Sequence, residues 1–554
     1  MTSPEGLAEI PDLSLYGVLR RAEESHRERA AYTYLDHTVD YAEYLARTDD
    51  LSLRFRSMGI GEGDRVIICL PNCPQAILSF YALNRIGAVS VMVHPLSSSS
   101  EIRHYIDDSG AKVAITLNRF IGIFPGINEK ETLRTLIVTS PVDMLPTFKG
   151  RIGKLLKKDL RVPKLAEGSG MLSWTDLLRK DVSAVSGTFP DVAPDSPAVI
   201  LYTGGTTGTN KGAVHTNRAV NECAVQMIEG SSLMGEGKLK ILAQLPIFHG
   251  FGLCTCIHVP VCVAAECVLL PLIRIDEVCR TIVKKRVNYF AGVPGMLMKM
   301  VDNPAMKDAD LSCLIGVFCG GDILPSEYKK RFDAFLKDHG SETFVRVGYG
   351  CTEMIAATCL TDRYEEPTGS CGKPLPGYSA KIVRIGTTEQ VPNGETGEIC
   401  IAGPSMMTGY LGRPEETAEV LRKHDDGIVW CHTGDAGYID DEGYVYFVNR
   451  IKRIIITSGY NVYPSQIEDA LDRHPAVDYS CVVGRKDPER GETVVAFIVL
   501  RDGKEASEET EASISDYLKK EVALYARPRE YRFVDSLPRT KLDKVDYRQL
   551  EESL

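Results

Sequence analysis

Short apolar stretches alternate with amphipathic helical ones through the first part of the chain, and this alternation narrows the fold more than any other feature. Tyr41 to Met58 carries a helical apolar face. DRVIICLPNC, from Asp64, reads as a buried strand that closes in a turn; AILSFYALNRIG returns to helix, and AVSVMVHP is a strand again. Strands separated by helices lie parallel, because each crossover helix returns the chain to the same end of the sheet, and the helices then cover both faces. The expected class is α/β. A large N-terminal domain, 1–449, holds helix-covered parallel sheets. A small β-rich subdomain follows Tyr349, where GKPLPG, VPNGETGEICIAGP and DDEGYVYFVNR give short strands and Gly/Pro turns. A smaller α+β domain, 450–554, then runs through helix SQIEDALDRH, strands YSCVVG and TVVAFIVL, and helix EASISDYLKKEV. The cut falls near Asn449–Arg453.

Composition removes several function classes. A net charge of −11 argues against general binding of nucleic acid, which shows as a basic surplus. The 16 cysteines are scattered, with no CxxC pair and no Cys/His cluster of zinc-finger spacing, so they read as reduced and mostly buried thiols of a cytoplasmic chain. MTSPEGLAEIPDLSL lacks the basic and apolar regions of a signal peptide. The apolar run Phe251–Ile273 is long enough to span a bilayer. It contains His258, Pro260 and Glu266, however, and reads better as a buried helix running into a buried strand. Segment 147–164 carries seven basic residues and one acidic one. Phe148, Ile152, Leu155, Leu156 and Leu160 would share one face of a helix there, a pattern compatible with peripheral membrane contact or with packing on the domain surface.

The sharpest chemical signal is VILYTGGTTGTNKG, Val199–Gly212, where an apolar strand enters a loop of Gly, Thr and one Lys. Glycines let backbone N–H groups close around phosphate oxygens, while threonine hydroxyls and Lys211 add donors and charge. The spacing is not that of the G-x-x-x-x-G-K-[ST] loop. The string resembles the YTSGTTGxPKG loop of the adenylate-forming superfamily, which includes acyl-CoA synthetases, luciferases and peptide-synthetase adenylation domains. Gly204 replaces the Ser, as in fatty acyl-CoA ligases, and Asn210 replaces the Pro. Further motifs recur in family order over roughly residues 30–550.

The resemblance implies a role for each motif. Thr203, Gly204, Gly205, Thr206 and Gly208 would hold ATP, with Thr207 and Lys211 catalytic. In LPIFHGFG, Phe248 and His249 would border the acyl pocket, and the Asp with which amino-acid-activating relatives pair a substrate amine is missing. Gly320 and Gly321 of CGGDIL would line the acyl and adenine sites. In GYGCTE, Gly348 would face the acyl group, Tyr349 would stack on adenine with Gly350 beside it, Thr352 would touch phosphate, and Glu353 would bind Mg2+, for which a carboxylate beside a triphosphate is suited. Asp435 of HTGDAGYID and Arg450 of NRIKR would bind ribose, with Asn449 where the family has an Asp. Lys452 would be the hinge of a mobile C-terminal domain, and Ser458, Gly459 and Tyr460 would form the loop used with the thiol. In LPRTKLDKVDYRQL, Lys544 matches the catalytic lysine, with Asp543 in place of the usual Gly.

The implied reaction activates a carboxylic acid, medium- or long-chain fatty by the Gly204 variant, to acyl-AMP with release of pyrophosphate, and then forms a thioester with coenzyme A. ATP, Mg2+ and coenzyme A are the expected cofactors. Two other readings stay open: loading of a carrier-protein phosphopantetheine, and a non-enzymatic nucleotide- and acyl-binding paralogue. Chain length, an aryl or steroid acid, and oligomeric state are not legible.

Overall fold

The computed structural model describes residues 7–124, 133–146, 150, 157–183, 185, 188–203, 210–231, 238–361, 367–457, 460–540 and 544–554. Two large sheets dominate, each with a parallel centre; the first is antiparallel at both edges and the second at one. In the nine-stranded sheet, Ala30–Tyr34, Glu266–Leu269, Lys240–Ala243, Tyr289–Gly292, Gly316–Cys319 and Val345–Gly350 run parallel; His37–Asp40 closes one edge, and Ala357–Leu360 with Lys373–Pro374 closes the other. In the eight-stranded sheet, Met171–Ser173, Thr135–Thr139, Val113–Leu117, Arg65–Cys69, Val89–Met92 and Pro197–Tyr202 are parallel, and Gly212–Thr216 and Gly409–Tyr410 finish it antiparallel. Helix Pro74–Arg85 is buried along its length, as AILSFYALNRIG requires of a helix with apolar residues on every side. One hydrophobic cluster joins this helix to both large sheets.

A third sheet, antiparallel, contains Ser379–Val383, Gly397–Ala402, Val429–Ile439, Leu421–Lys423 and Val445–Arg450. The fourth begins at Ile455–Thr457. Its long hairpin, Val477–Asp487 with Gly491–Leu500, packs helices Pro464–Asp472 and Glu508–Glu521 through Ile467, Leu471, Ile514 and Leu518. The chain is therefore mixed α/β with a β-rich C-terminal region.

The Phe251–Ile273 run is buried, but its helix is not regular. Gly252–His258 winds as a π-helix, Val259–Cys262 continues as α-helix, and Glu266–Leu269 joins the first sheet. Among the described residues no helix is long and apolar enough to cross a membrane. The basic helix expected over 147–164 is not seen at its C-terminal end, where Lys158–Leu160 is a 3-10 turn. Asn118 Nδ2 donates to the carbonyls of Asp159 and Arg161, and Ser140 Oγ to that of Leu160, so side chains take the acceptors a helix would use. Residues 147–149 and 151–156 lie outside the described set. All 16 cysteines are free thiols, and 12 of them are buried.

Candidate active site

Thr203 and Lys211 stand at the two ends of the Gly/Thr loop. The Thr203 N–H donates to the Lys211 carbonyl at 2.9 Å, so the hairpin Pro197–Tyr202/Gly212–Thr216 pins the loop's mouth. Gly204, Gly205, Thr206, Thr207 and Gly208 lie outside the described residues. Asn210, the substitute for the family's Pro, donates from Nδ2 to Tyr105 Oη at 2.7 Å, and a backbone carbonyl at the same residue meets His104 Nε2. The Lys211 ammonium sits 5.0 Å from the ring centroid of Tyr410, whose strand is the antiparallel neighbour of Gly212–Thr216. Tyr410 Oη donates to Glu353 Oε1. The sequence reading passed over Tyr410, and only the strand pairing identifies it: it joins the loop lysine to the carboxylate expected to hold Mg2+. A carboxylate is a hard oxygen donor, so the residues present fit that ion.

Glu353 lies in the 3-10 turn Thr352–Met354, just beyond strand Val345–Gly350. At Gly350 a Cβ would come 1.8 Å from the carbonyl oxygen of Ala356, so glycine is required there by close approach. Gly348 has only ordinary clearances. Gly321 has a φ of +83°, and a Cβ on Gly320 would lie 3.1 Å from the Gly348 oxygen and 3.5 Å from the Phe251 ring.

Asp435 is 1% exposed. It receives the Tyr349 hydroxyl at 2.8 Å and pairs with Arg450 Nη1 at 2.8 Å. Asp435 and Arg450 are direct partners across the antiparallel ladder, so the pair expected at ribose comes from strand register. Burial raises the Asp435 carboxyl above its usual range, and Arg450 opposes the shift. The Tyr349 ring lies 6.2 Å from that of Phe447. Asn449 is buried and accepts the N–H of Arg450 through Oδ1, a local turn contact that an Asp could also make.

Lys544 comes to this group from the far end of the sequence. Thr540 and Lys544 hold each other through Thr540 N–H to the Lys544 carbonyl at 2.7 Å and Lys544 N–H to Thr540 Oγ1 at 3.2 Å. Burial lowers the Lys544 ammonium below its usual range, and the charges acting on it are Asp322, Arg450 and Asp435. His249 feels the same lysine: burial first, then Lys544, lowers its imidazole to about 4, so His249 is neutral near pH 7. Phe248 packs on His94 at 4.3 Å between centroids. Asn72 fixes the whole segment by donating to the Ala243 and Leu245 carbonyls and accepting from Ile247 N–H. Asp322, the acidic neighbour of Lys544, was another residue the sequence reading did not single out, since an Asp in a turn carries no signal.

The residues expected to serve as hinge and thiol-stage loop are placed differently. Lys452 is exposed in the 3-10 turn Ile451–Arg453, and Tyr460 opens strand Tyr460–Val462 of the C-terminal sheet. Ser458, Gly459 and Asp543 lie outside the described residues. The geometry thus gathers Lys211, Tyr410 and Glu353 in one cluster, and Tyr349, Asp435 and Arg450 in another, with Lys544 in electrostatic range of the second and of His249. This is an arrangement able to bind a nucleotide and offset negative charge at its phosphates.

Comparison with known proteins bears on this arrangement. The model of the AMP-binding enzyme family matches residues 19–411, and that of the AMP-binding enzyme C-terminal domain matches residues 466–544. The chain is 32% identical over 552 residues to a long-chain-fatty-acid–CoA ligase of Bacillus subtilis (strain 168), covering 98% of this chain and 95% of that one. It is 31% identical over 535 residues to 4-coumarate–CoA ligase 2 of Oryza sativa subsp. japonica, covering 95% and 89%. The solved structure of ATP-bound MatB from Rhodopseudomonas palustris superposes with a TM-score of 0.80 at 25% identity, over 98% of this chain and 99% of that chain.

Proposed function

The chain belongs to the AMP-binding enzyme family and is an AMP-forming acid–thiol ligase that uses ATP and coenzyme A, and on that premise we propose that its acid is a medium- or long-chain fatty acid. The observation that carries the proposal is the surroundings of His249. This neutral imidazole sits by Phe248, Phe251 and the buried, mostly apolar run Leu253–Val261, and the charged neighbour it feels is Lys544. The fatty-acid ligase of B. subtilis, similar over nearly the whole length, supports the same class.

In the proposed reaction the substrate carboxylate oxygen attacks the α-phosphorus of ATP; the bond to the β-phosphate oxygen breaks, pyrophosphate leaves, and a mixed anhydride remains. Such a displacement needs positioning and charge neutralisation more than covalent help. Asp435 and Arg450 hold the ribose, Tyr349 flanks the base, and Lys211 and Lys544 supply positive charge at the phosphates. Glu353, steadied by Tyr410, would hold Mg2+, which adds further positive charge when bound. The C-terminal domain, which we place at 450–554, then turns at Lys452. That motion withdraws Lys544 and presents Ser458, Gly459 and Tyr460 to the thiol, whose sulfur attacks the acyl carbon and expels AMP.

A second reading, an aryl acid, is favoured by the similarity to 4-coumarate–CoA ligase 2. Pyrophosphate release measured with Mg2+ and ATP across acetate, medium- and long-chain fatty acids, 4-coumarate and a steroid acid separates the two. A maximum among fatty acids that requires coenzyme A is the expected result. A maximum at 4-coumarate replaces the acid assignment, and turnover only with a phosphopantetheinyl carrier protein replaces coenzyme A as acceptor.

A further inference from the structure

Away from the nucleotide site, the third sheet brings together three side chains of the types that ligate metals: Cys400, His424 and His432. One ligand atom from each lies within 4.8 Å of the others. Cys400 on strand Gly397–Ala402 is the direct ladder partner of His432 on strand Val429–Ile439. His424 directly follows the neighbouring strand Leu421–Lys423, where the exposed turn 425–428 begins. The cluster is inside the protein, with Cys400 at 0%, His432 at 4% and His424 at 5% exposure.

The hydrogen bonds around the cluster show which lone pairs point inward. Glu398 Oε2 lies 2.8 Å from His432 Nδ1, and Glu398 Oε1 receives the Gly434 N–H at 3.1 Å, so this carboxylate is itself held in place. With Nδ1–H given to Glu398, a neutral His432 presents a bare Nε2. That atom accepts the His424 Nε2–H at 2.9 Å, and His424 Nδ1 has no hydrogen-bond partner among the described residues, so moving the His424 proton from Nε2 to Nδ1 bares both facing nitrogens. Two imidazoles therefore aim Nε2 at one another beside a thiol, with a carboxylate orienting one ring from behind. A carboxylate behind a histidine is the usual support of a metal-bound imidazole.

We propose that Cys400, His424 and His432 bind a divalent ion of the zinc type, with Glu398 orienting His432. Two imidazoles and a thiolate suit zinc and exclude magnesium or calcium, which prefer oxygen. Tetrahedral bonds of about 2.0–2.3 Å hold ligand atoms roughly 3.5 Å apart, inside the observed spread. Charge also balances. Binding releases the Cys400 thiol proton to solvent, and the thiolate and Glu398 together offset the dication. The nearby Lys381 ammonium is matched by Asp426 at 2.7 Å and lies 4.3 Å from the centroid of the Trp430 ring. Three protein ligands leave a fourth tetrahedral position for water. The ion would cross-link two strands and the exposed turn next to Gly434 and Asp435, and so stiffen the strand that carries the ribose carboxylate.

The test uses the full-length protein, dialysed against EDTA and titrated with Co2+ under argon. The expected result is one Co2+ per chain with thiolate-to-cobalt absorption in the near ultraviolet, displaced by one equivalent of Zn2+. Cys400→Ser should abolish that band, His424→Asn should weaken binding at least about 10-fold, and Glu398→Gln by about 10- to 100-fold. Zn2+ should raise the melting temperature of the EDTA-treated wild type and leave that of His424→Asn unchanged. His424→Asn, at the edge of an exposed turn, carries the test if Cys400→Ser does not fold. No Co2+ binding, Co2+ binding without the thiolate band, a band that survives in Cys400→Ser, or unchanged affinity in His424→Asn overturns the proposal.

Discussion

Lys544 and Tyr410 act at the scale of single residues, and each has a variant that separates its proposed role from simple stability. In the conformation described Lys544 feels the charges of Asp322, Arg450 and Asp435, and the proposed reaction uses it at the α-phosphate step alone. Lys544→Ala is expected to lower adenylate formation on the order of 100- to 1,000-fold. Thioester formation from supplied acyl-adenylate should stay near wild type; equal loss of both half-reactions contradicts a lysine that serves one of them. Tyr410→Phe keeps the ring beneath Lys211 and deletes the hydroxyl that reaches Glu353. A hydrogen bond to a charged group contributes about 1.5–3 kcal/mol, so a fall in pyrophosphate release of roughly 10- to 100-fold is expected, with a higher Mg2+ requirement. An unchanged Mg2+ dependence would remove Tyr410 from the role of positioning Glu353.

At the scale of elements, two turns press against each other and tie the acyl side of the site to the phosphate side. Ile355 has a φ of +69° and a ψ of −63°, and Ala356 N–H donates back to the Met354 carbonyl at 2.8 Å. This is a γ-turn of the rare positive-φ kind, which a β-branched residue occupies only under strain. It directs the Ile355 carbonyl at Gly250, where a Cβ would stand 1.9 Å from the oxygen. Gly250→Ala must therefore shift the His249 segment or the Glu353 turn. Overpacking of this kind costs about 1–3 kcal/mol, and the variant is expected to fold with a lower melting temperature and an apparent KM for the acid raised several-fold. A kinetically silent Gly250→Ala would show that the two turns are not coupled.

Across the whole molecule, buried neutral histidines set the acid side of the stability profile. Burial lowers His258, held between Tyr81 Oη and Asn221 Oδ1, to about 3, and lowers His215 to about 4. Both folded-state values lie below the unfolded value of about 6.5, so the unfolded chain binds more protons across that interval. Their contribution is complete above pH 6.5 and is lost as pH falls toward 4 and 3. Thermal unfolding should show the melting temperature falling between pH 6.5 and 5, a range above most carboxylate titrations. His258→Gln should flatten the slope, and an identical slope in wild type and variant would assign acid lability to other groups. The proposed domain rotation belongs to this scale as well, because Lys544 and residues 458–460 both fall in the segment 450–554 to which the rotation is assigned.

The α/β class and the order of its units were legible in the alternation of DRVIICLPNC, AILSFYALNRIG and AVSVMVHP, because periodicity is a local property that reports which face each segment buries. The motif residues were legible for a different reason, since fixed strings such as GYGCTE and HTGDAGYID carry a resemblance that single residues do not. Tyr410, Asp322 and the Gly250–Ile355 contact left no mark in the sequence, because each depends on strands or turns that are neighbours only in space. The same holds for Cys400, His424 and His432. Their separation fits no ligand spacing along the chain, and antiparallel register in the third sheet brings Cys400 opposite His432. The sequence by itself determined the layers and the nucleotide-binding strings, since these follow from local pattern. Tertiary structure alone decided which charges face Lys544 and where three buried ligands meet, because strand register and burial are set by long-range packing.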